Sequence, residues 1–267
     1  MSKNQIRQNV LAHDRVSGIY ERIHGEIYNQ REQDRLAREL KAAVMQIGTG
    51  QGKPQVLDFG CGAGNLTAHL ISAGCEVISS DVSPKFLRLV QDRFGVRTFQ
   101  LNGENLSGIE TESLDMVATY SVLHHVPDYL GILEEFARVL RPGGVLYIDH
   151  ESSPNVWTVD PVYAEFERCM RDHQSFDLIK YMNPYNYADF LVRKFVNPRY
   201  RREGDIHVFP DDHIQWELVA SRLDGLCRVV TEKPYLLFKR GYDEGKYEQF
   251  VGRTSDMQLM VFKKNAK

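Results

Sequence analysis

Cysteine is scarce, and what there is lies scattered. The 267 residues hold four cysteines, Cys61, Cys75, Cys169 and Cys227. Their spacing makes neither a zinc-ligand pair nor a disulfide framework, so the expectation is a reduced, cytoplasmic protein. An excess of one charge is also missing. The 33 basic residues face 36 acidic ones, the net charge is −3 and the pI is near 6.3. That balance gives no general attraction to nucleic acid. No run is apolar and long enough to span a bilayer, and Met1-Ser2-Lys3-Asn4-Gln5 opens without an apolar signal region. Internal repeats and low-complexity tracts are absent as well. Apolar residues, at 42%, are enough to fill the core of one elaborated domain.

The densest information lies in Val56-Leu57-Asp58-Phe59-Gly60-Cys61-Gly62-Ala63-Gly64-Asn65. Val56, Leu57 and Phe59 suit a buried strand, and Lys53-Pro54 marks its start. Gly60, Gly62 and Gly64 allow a tight turn and a close approach of backbone to ligand. The helix expected from Asn65 would aim its free N–H groups at that ligand. The glycines read G-x-G-x-G. A dinucleotide fingerprint needs a third glycine or alanine one residue later, where Asn65 stands. No Gly-Lys-Ser/Thr follows, which excludes a phosphate-binding loop of the Walker type. Asp58 sharpens the choice. A carboxylate before the turn repels a pyrophosphate but suits a ligand with an ammonium and a sulfonium, as S-adenosylmethionine has. A plain structural turn with no ligand is the alternative.

The segment Cys75-Glu76-Val77-Ile78-Ser79-Ser80-Asp81 reads as the next strand, again ending in a carboxylate. An acid at that place accepts hydrogen bonds from both ribose hydroxyls of an adenosine. Ser83 and Pro84 then suit the cap and first turn of a helix through Phe86, Leu87, Leu89 and Val90.

With these motifs the chain resembles the class I S-adenosylmethionine-dependent methyltransferases. Within them it is similar to the small-molecule subgroup that includes the ubiquinone and menaquinone biosynthesis enzymes. The similarity runs from Val56 to about Glu151. Phe99 to Leu106 matches the third-strand segment, where Asn102-Gly103 replaces the usual Asp-Ala. Leu114 to Val126 matches the fourth strand and the loop over the methionine part of the cofactor. Leu140-Arg141-Pro142-Gly143-Gly144 with Val145-Leu146-Tyr147-Ile148 matches the fifth-strand turn. The resemblance implies S-adenosylmethionine as cofactor, with adenine held near Asn102, Gly103 and Glu104. It also implies an N-terminal gate, for which Tyr20 and His24 are the candidates. The expected binding set is Tyr20, His24, Asp58, Gly60, Cys61, Gly62, Asp81, Val82, Asn102, Gly103, Glu104, Ser121 and His125.

The implied fold is α/β: a Rossmann-like, seven-stranded, mostly parallel sheet with an antiparallel last strand and helices on both faces. Residues 1–50 read as a helical cap. Ile6, Val10, Val16, Ile19, Tyr20, Ile23 and Ile27 recur at helical intervals, and so do Leu36, Leu40, Val44 and Ile47. Tyr20, His24 and Tyr28 are four apart and would share one helix face. Residues 51–267 form the methyltransferase domain, with a lid inserted at about 151–211. Arg228–Lys233 and Gln258–Phe262 are the expected last two strands. The insertion is longer than a strand-to-helix connection needs and rich in aromatics. Most of these are expected to glue it to the core. Arg193, Lys194, Arg199, Arg201 and Arg202 read as a solvated face, with a clamp for an anionic acceptor as the alternative.

Methyl transfer from a sulfonium asks mainly for alignment and desolvation. A base is needed only where the acceptor loses a proton. His150, after a fifth strand ending in Asp149, is expected to face the acceptor as that base, with His124 as its rival. His125 is expected to support the cofactor loop. Asp149, His150 and Glu151 make a poor metal set, because adjacent strand residues point to opposite faces, and no metal is expected. The expected activity is methylation of a small molecule, with O-methylation preferred and no nucleic-acid or membrane partner. Methylation of a protein or tRNA, or a non-catalytic cofactor-binding role, are the alternatives.

Overall fold

Short apolar segments separated by glycine turns and amphipathic stretches have few ways to bury themselves. The favoured one is a parallel sheet covered on both faces. The computed structural model describes residues 10, 24–48, 52–171, 184–201 and 204–266. Its elements are α1 (Gln30–Val44), β1 (Gln55–Phe59), α2 (Asn65–Ser72), β2 (Glu76–Asp81), α3 (Pro84–Phe94), β3 (Arg97–Gln100) and β4 (Leu114–Tyr120). There follow α4 (Tyr129–Val139), β5 (Leu140–Ser152), α5 (Pro161–Arg171), α6 (Pro184–Phe195), β6 (Val208–Phe209) and β7 (Asp212–His213). The chain closes with α7 (Trp216–Leu223), β8 (Cys227–Tyr235), α8 (Glu244–Glu248) and β9 (Met257–Lys264).

Seven strands form one sheet in the order β3-β2-β1-β4-β5-β9-β8, while β6 and β7 make a separate hairpin. Strands β1 to β5 run parallel. Strand β9 slots between β5 and β8, antiparallel to both. The expected sheet and its antiparallel last strand are therefore present. Alternation along the strands divides the core in two. Leu57, Phe59, Val117, Leu146 and Phe262 pack on one face with Leu133 and Phe136 of α4 and Val219 of α7. Val56, Met116, Val145 and Val261 pack on the other with Leu36 and Leu40 of α1 and Leu66 and Leu70 of α2. Each such leucine contributes about 1.5–3 kcal/mol by leaving water.

The N-terminal reading needs correction. Residues 24–29 form turns, not the end of a helix carrying Tyr20, His24 and Tyr28 on one face. The carbonyl of His24 accepts from the N–H groups of Ile27 and Tyr28, each at 3.0 Å. Asn29 then caps α1, its Oδ1 accepting from Glu32 N at 3.0 Å. Tyr20 lies outside the described residues. The insertion after β5 does contain helices, α5 and α6. Phe166 of α5 packs on Tyr242, Tyr247 and Phe250, so this aromatic joins the insertion to the β8–β9 connection.

Candidate active site

The glycine turn opens a cleft at the carboxyl ends of β1, β2 and β4. The N–H groups of Gly60 and Cys61 both donate to Ser80 O at 2.8 Å, which locks the turn to β2. Gly60 has φ +76, and a Cβ there would stand 2.5 Å from Val122. Gly64, at φ +89, starts α2 with Phe94 packed against it in the same way. Glycine at these two places is a steric need.

Two carboxylates face the cleft from either side of the turn. Asp81 is 4% exposed. Its Oδ2 accepts from Gly62 N at 3.0 Å and its Oδ1 from Ser83 N at 2.8 Å. Asp58 is 1% exposed. One of its oxygens accepts from the Thr67 hydroxyl, while Oδ1 has no hydrogen-bond partner. Burial pushes the Asp58 carboxyl up to about 7; the Thr67 hydrogen bond works against that shift and the nearby Asp81 charge adds to it. A buried acceptor oxygen left open in a cleft fits a ligand that brings positive charge.

Most of the expected binding residues come together here. Asp58, Gly60, Cys61, Gly62, Asp81, Val82, Gly103, Glu104, Ser121 and His125 all line the cleft. Of the remaining three, two do not gather. Tyr20 is outside the described residues. His24 stays off the cleft, its Nδ1 2.9 Å from Glu26 Oε1, and Ile27 and Tyr28 line the wall instead. Asn102 is also a correction. Its amide oxygen accepts from Glu104 N and Asn105 N at 2.8 and 2.9 Å, and its amide nitrogen donates to Asn105 Oδ1. The side chain is exposed and committed to its own turn, and the backbone at Gly103 and Glu104 borders the cleft.

The histidines stand differently from the expectation. His150 lies within β5, is 6% exposed and does not line the cleft. Its ring stacks on Tyr120 at 4.6 Å, and Tyr120 does line it. The register of β5 against β9 shifts between Ile148 and Glu151, and His150 has φ +63. This irregularity breaks strict alternation, so Asp149 and His150 meet the same group. The hydroxyl of Tyr235 donates to Asp149 Oδ1 at 3.1 Å and lies 3.1 Å from His150 Nδ1. With that proton committed to Asp149, the imidazole must donate from Nδ1, which leaves Nε2 as its basic nitrogen. The network continues through Arg35, which donates to Asp149 Oδ2, Tyr235 Oη and Glu32. Tyr120 donates to Glu32 Oε1 at 2.9 Å. Burial resists ionisation of Glu32, yet the hydrogen bonds of Arg35, with the His150 ring close by, outweigh it and hold the carboxyl down at about 2.

His124 and His125 sit in a 3-10 turn, Leu123–His125, at the end of β4. Glu151 pins that turn. Its Oε1 accepts from Val122 N and Leu123 N at 2.9 and 2.7 Å, and its Oε2 lies 2.8 Å from His124 Nδ1. Sequence reading gave Glu151 no such role, since the pinning depends on the strand irregularity. One grouping lies outside the set weighed from the sequence. His124, His125 and Asp205 each place a ligand atom within 4.8 Å of the others. In the basic cluster, Arg199 pairs with Asp211, and Arg199 and Arg201 lie over the Phe209 ring at 5.0 and 4.7 Å. No helix among the described residues is long and apolar enough to cross a membrane.

Residues 57–148 match a family model described as a methyltransferase domain. A ubiquinone biosynthesis O-methyltransferase of Cupriavidus pinatubonensis is 29% identical over 147 residues, covering 53% of this chain and 59% of that one. A protein of the same name from Xanthomonas oryzae pv. oryzae is 31% identical over 122 residues, covering 42% and 49%. The chain thus spans about half to three-fifths of the length of these curated relatives. Among solved structures, the putative methyltransferase complexed with the Haloferax volcanii Trm112 activator superposes with a TM-score of 0.58 at 14% identity, covering 96% of this chain and 98% of that one. The N-methyltransferase NodS of Bradyrhizobium japonicum, complexed with S-adenosyl-L-homocysteine, gives 0.56 at 15% identity, with coverage of 96% and 98%. These likenesses concern the fold.

Proposed function

Residues 57–148 are a class I S-adenosylmethionine-dependent methyltransferase domain, and we propose that the chain uses it to methylate a hydroxyl of a small-molecule acceptor. The cofactor of the domain is S-adenosylmethionine, which when bound supplies a methyl group already activated on a sulfonium. The chain's own residues then have three tasks: to hold charge, to orient, and to take a proton.

The observation that carries this reading is the pair of buried carboxylates flanking one glycine turn. Asp58, with its open Oδ1, offers negative charge where the cofactor's ammonium and sulfonium need it. Asp81 stands at the end of β2 beside the turn, fixed by the N–H groups of Gly62 and Ser83, where an acid meets ribose hydroxyls. Gly103, Glu104 and Leu101 border the space for adenine. Tyr28, Tyr120 and Ser121 line the rest of the cleft. Ser121 and His150 hold positive φ at the ends of β4 and β5, a strained backbone of the kind that collects at functional sites.

The preference for oxygen has two supports. The two curated relatives described above bear the name ubiquinone biosynthesis O-methyltransferase. The hydrogen bond from His150 Nδ1 to Tyr235 leaves Nε2 able to accept a proton, so His150 is the proposed base. His150 does not itself line the cleft; Tyr120, which does and stacks on it, is the side chain between the proposed base and the cleft.

Titration calorimetry with S-adenosylmethionine, S-adenosylhomocysteine and NAD tests the cofactor assignment. The two sulfur ligands should bind and NAD should not, because Asp58 before the turn repels a pyrophosphate and the glycine spacing departs from the dinucleotide fingerprint. Tight NAD binding with no response to S-adenosylhomocysteine would overturn the proposal.

A further inference from the structure

We propose that His124, His125 and Asp205 form a binding site for a divalent transition-metal ion at the rim of the cofactor cleft. The inference stands on the geometry of these three residues and goes beyond the methyltransferase reading. His124 Nε2 lies 3.9 Å from Asp205 Oδ1, and His125 Nδ1 lies 3.3 Å from the same oxygen. Ligand atoms bound at 2.0–2.2 Å to a shared ion sit about 3–4.4 Å apart, so both separations match a common centre. The largest separation in the trio, no more than 4.8 Å, needs only a small side-chain rotation to join them.

The surroundings orient the donors. His124 Nδ1 meets Glu151 Oε2 at 2.8 Å. An imidazole that donates from Nδ1 to a carboxylate presents the lone pair of Nε2, and here Nε2 faces Asp205. This carboxylate–histidine arrangement is the usual second support of a metal-bound histidine. Glu151 is itself fixed by the N–H groups of Val122 and Leu123. Asp205 comes from a distant segment, but that segment is docked on the same turn. The N–H groups of Ile206 and His207 both donate to His124 O, at 3.0 and 3.1 Å. The two imidazoles are neighbours, with ring centroids 4.2 Å apart.

The donor set selects the ion. Two imidazole nitrogens and one carboxylate oxygen suit Zn²⁺, Co²⁺, Ni²⁺, Fe²⁺ or Mn²⁺, whereas Mg²⁺ and Ca²⁺ prefer oxygen alone. Three protein ligands leave coordination positions open. His125 lines the cleft, so those positions adjoin it. The competing explanation is a set of ion pairs in which Asp205 merely holds residues 204–207 against the turn.

The full-length chain, freed of metal by chelator and dialysis, is titrated with Co²⁺ and followed by visible absorption. The expected result is a saturable ligand-field band at one ion per chain, displaced by Zn²⁺. Asp205→Asn and His125→Ala should each weaken binding at least tenfold. Glu151→Gln should weaken it about 10–100-fold, as loss of a supporting carboxylate does. Circular dichroism on each variant checks folding, and two ligand variants guard against one failing to fold. Absence of a one-to-one band in the wild type, or an unchanged band in folded Asp205→Asn and His125→Ala, overturns the site. Calorimetry with S-adenosylhomocysteine on the metal-free chain separates this outcome from failure of the cofactor assignment.

Discussion

At the scale of single residues, Asp58 is the most exposed to test. Its carboxyl is pushed up to about 7 by burial first and by Asp81 in addition. The folded state therefore binds the proton more tightly than the unfolded state does. The sign follows directly: between about pH 4 and pH 7 the unfolded chain gives up that proton before the folded one. Asp58 thus lowers the stability of the ligand-free protein as pH rises through that window. A cationic ligand reverses the preference, because it favours the ionised form. Affinity for S-adenosylmethionine should rise up to tenfold per pH unit below about pH 7 and level off above it. Asp58→Asn should bind weakly and without that slope. Calorimetry at several pH values checks both, and a flat profile in the wild type would remove Asp58 from the cofactor site.

His150 belongs to the same scale. Its tautomer is set by Tyr235 and Asp149, so it is built to accept at Nε2. His150→Ala should lower turnover of a hydroxyl acceptor by about two to four orders of magnitude. Affinity for S-adenosylhomocysteine should stay near that of the wild type, since the ring does not line the cleft. Radiolabelled methyl transfer over a panel of hydroxyl-bearing acceptors gives the rate. Turnover that survives the substitution would mean that alignment alone carries the reaction.

Among elements, the joint between α1 and β5 matters most. Arg35 of α1 is the cation that compensates Glu32 and Asp149, which are 3% and 0% exposed. Removing it leaves two buried carboxylates facing each other's neighbourhood without a counter-charge. Arg35→Ala should cost about 3–5 kcal/mol, measured by urea denaturation at neutral pH. Glu32 adds a pH dependence. Its folded value, near 2, lies below its ordinary one, so its contribution is complete above about pH 5 and fades as pH falls towards 2. The same joint explains what the sequence left hidden. Asp149 and His150 are adjacent, and strict alternation separates them. The register shift in β5 puts both on Tyr235 and frees Glu151 to pin the turn after β4. Nothing in the residue types announces that shift.

For the whole molecule, legibility followed range. The glycine turn, Asp58 and Asp81 were readable because a strand, a tight turn and a helix impose their chemistry within ten or so neighbours. The sheet and its last two strands were readable from apolar runs and from the resemblance to a known family. Asn102 misled for a local reason: an asparagine three residues before another polar residue closes its own turn. His24 misled because Asn29 starts α1 afresh and the preceding chain turns. Asp205 was invisible, since only tertiary docking of residues 204–207 brings it to His124 and His125. Long-range polar contacts of this kind leave no periodicity to read.

The position of β9 has a consequence for the birth of the protein. Strand β8 has a single sheet partner, and that partner is β9, which is made later. As a ribosome extends the chain, β1 to β5 and their helices can assemble while the remainder is still unmade. Strand β8 then emerges with its backbone unpaired and must wait for Met257–Lys264 to arrive and wedge in beside β5. Until that moment β5 is an open edge, able to pair with another nascent chain. A chain stopped before Met257 should therefore keep its glycine turn yet aggregate, which light scattering of the purified fragment would reveal. A soluble, monomeric fragment would mean that β5 is protected in some other way during synthesis.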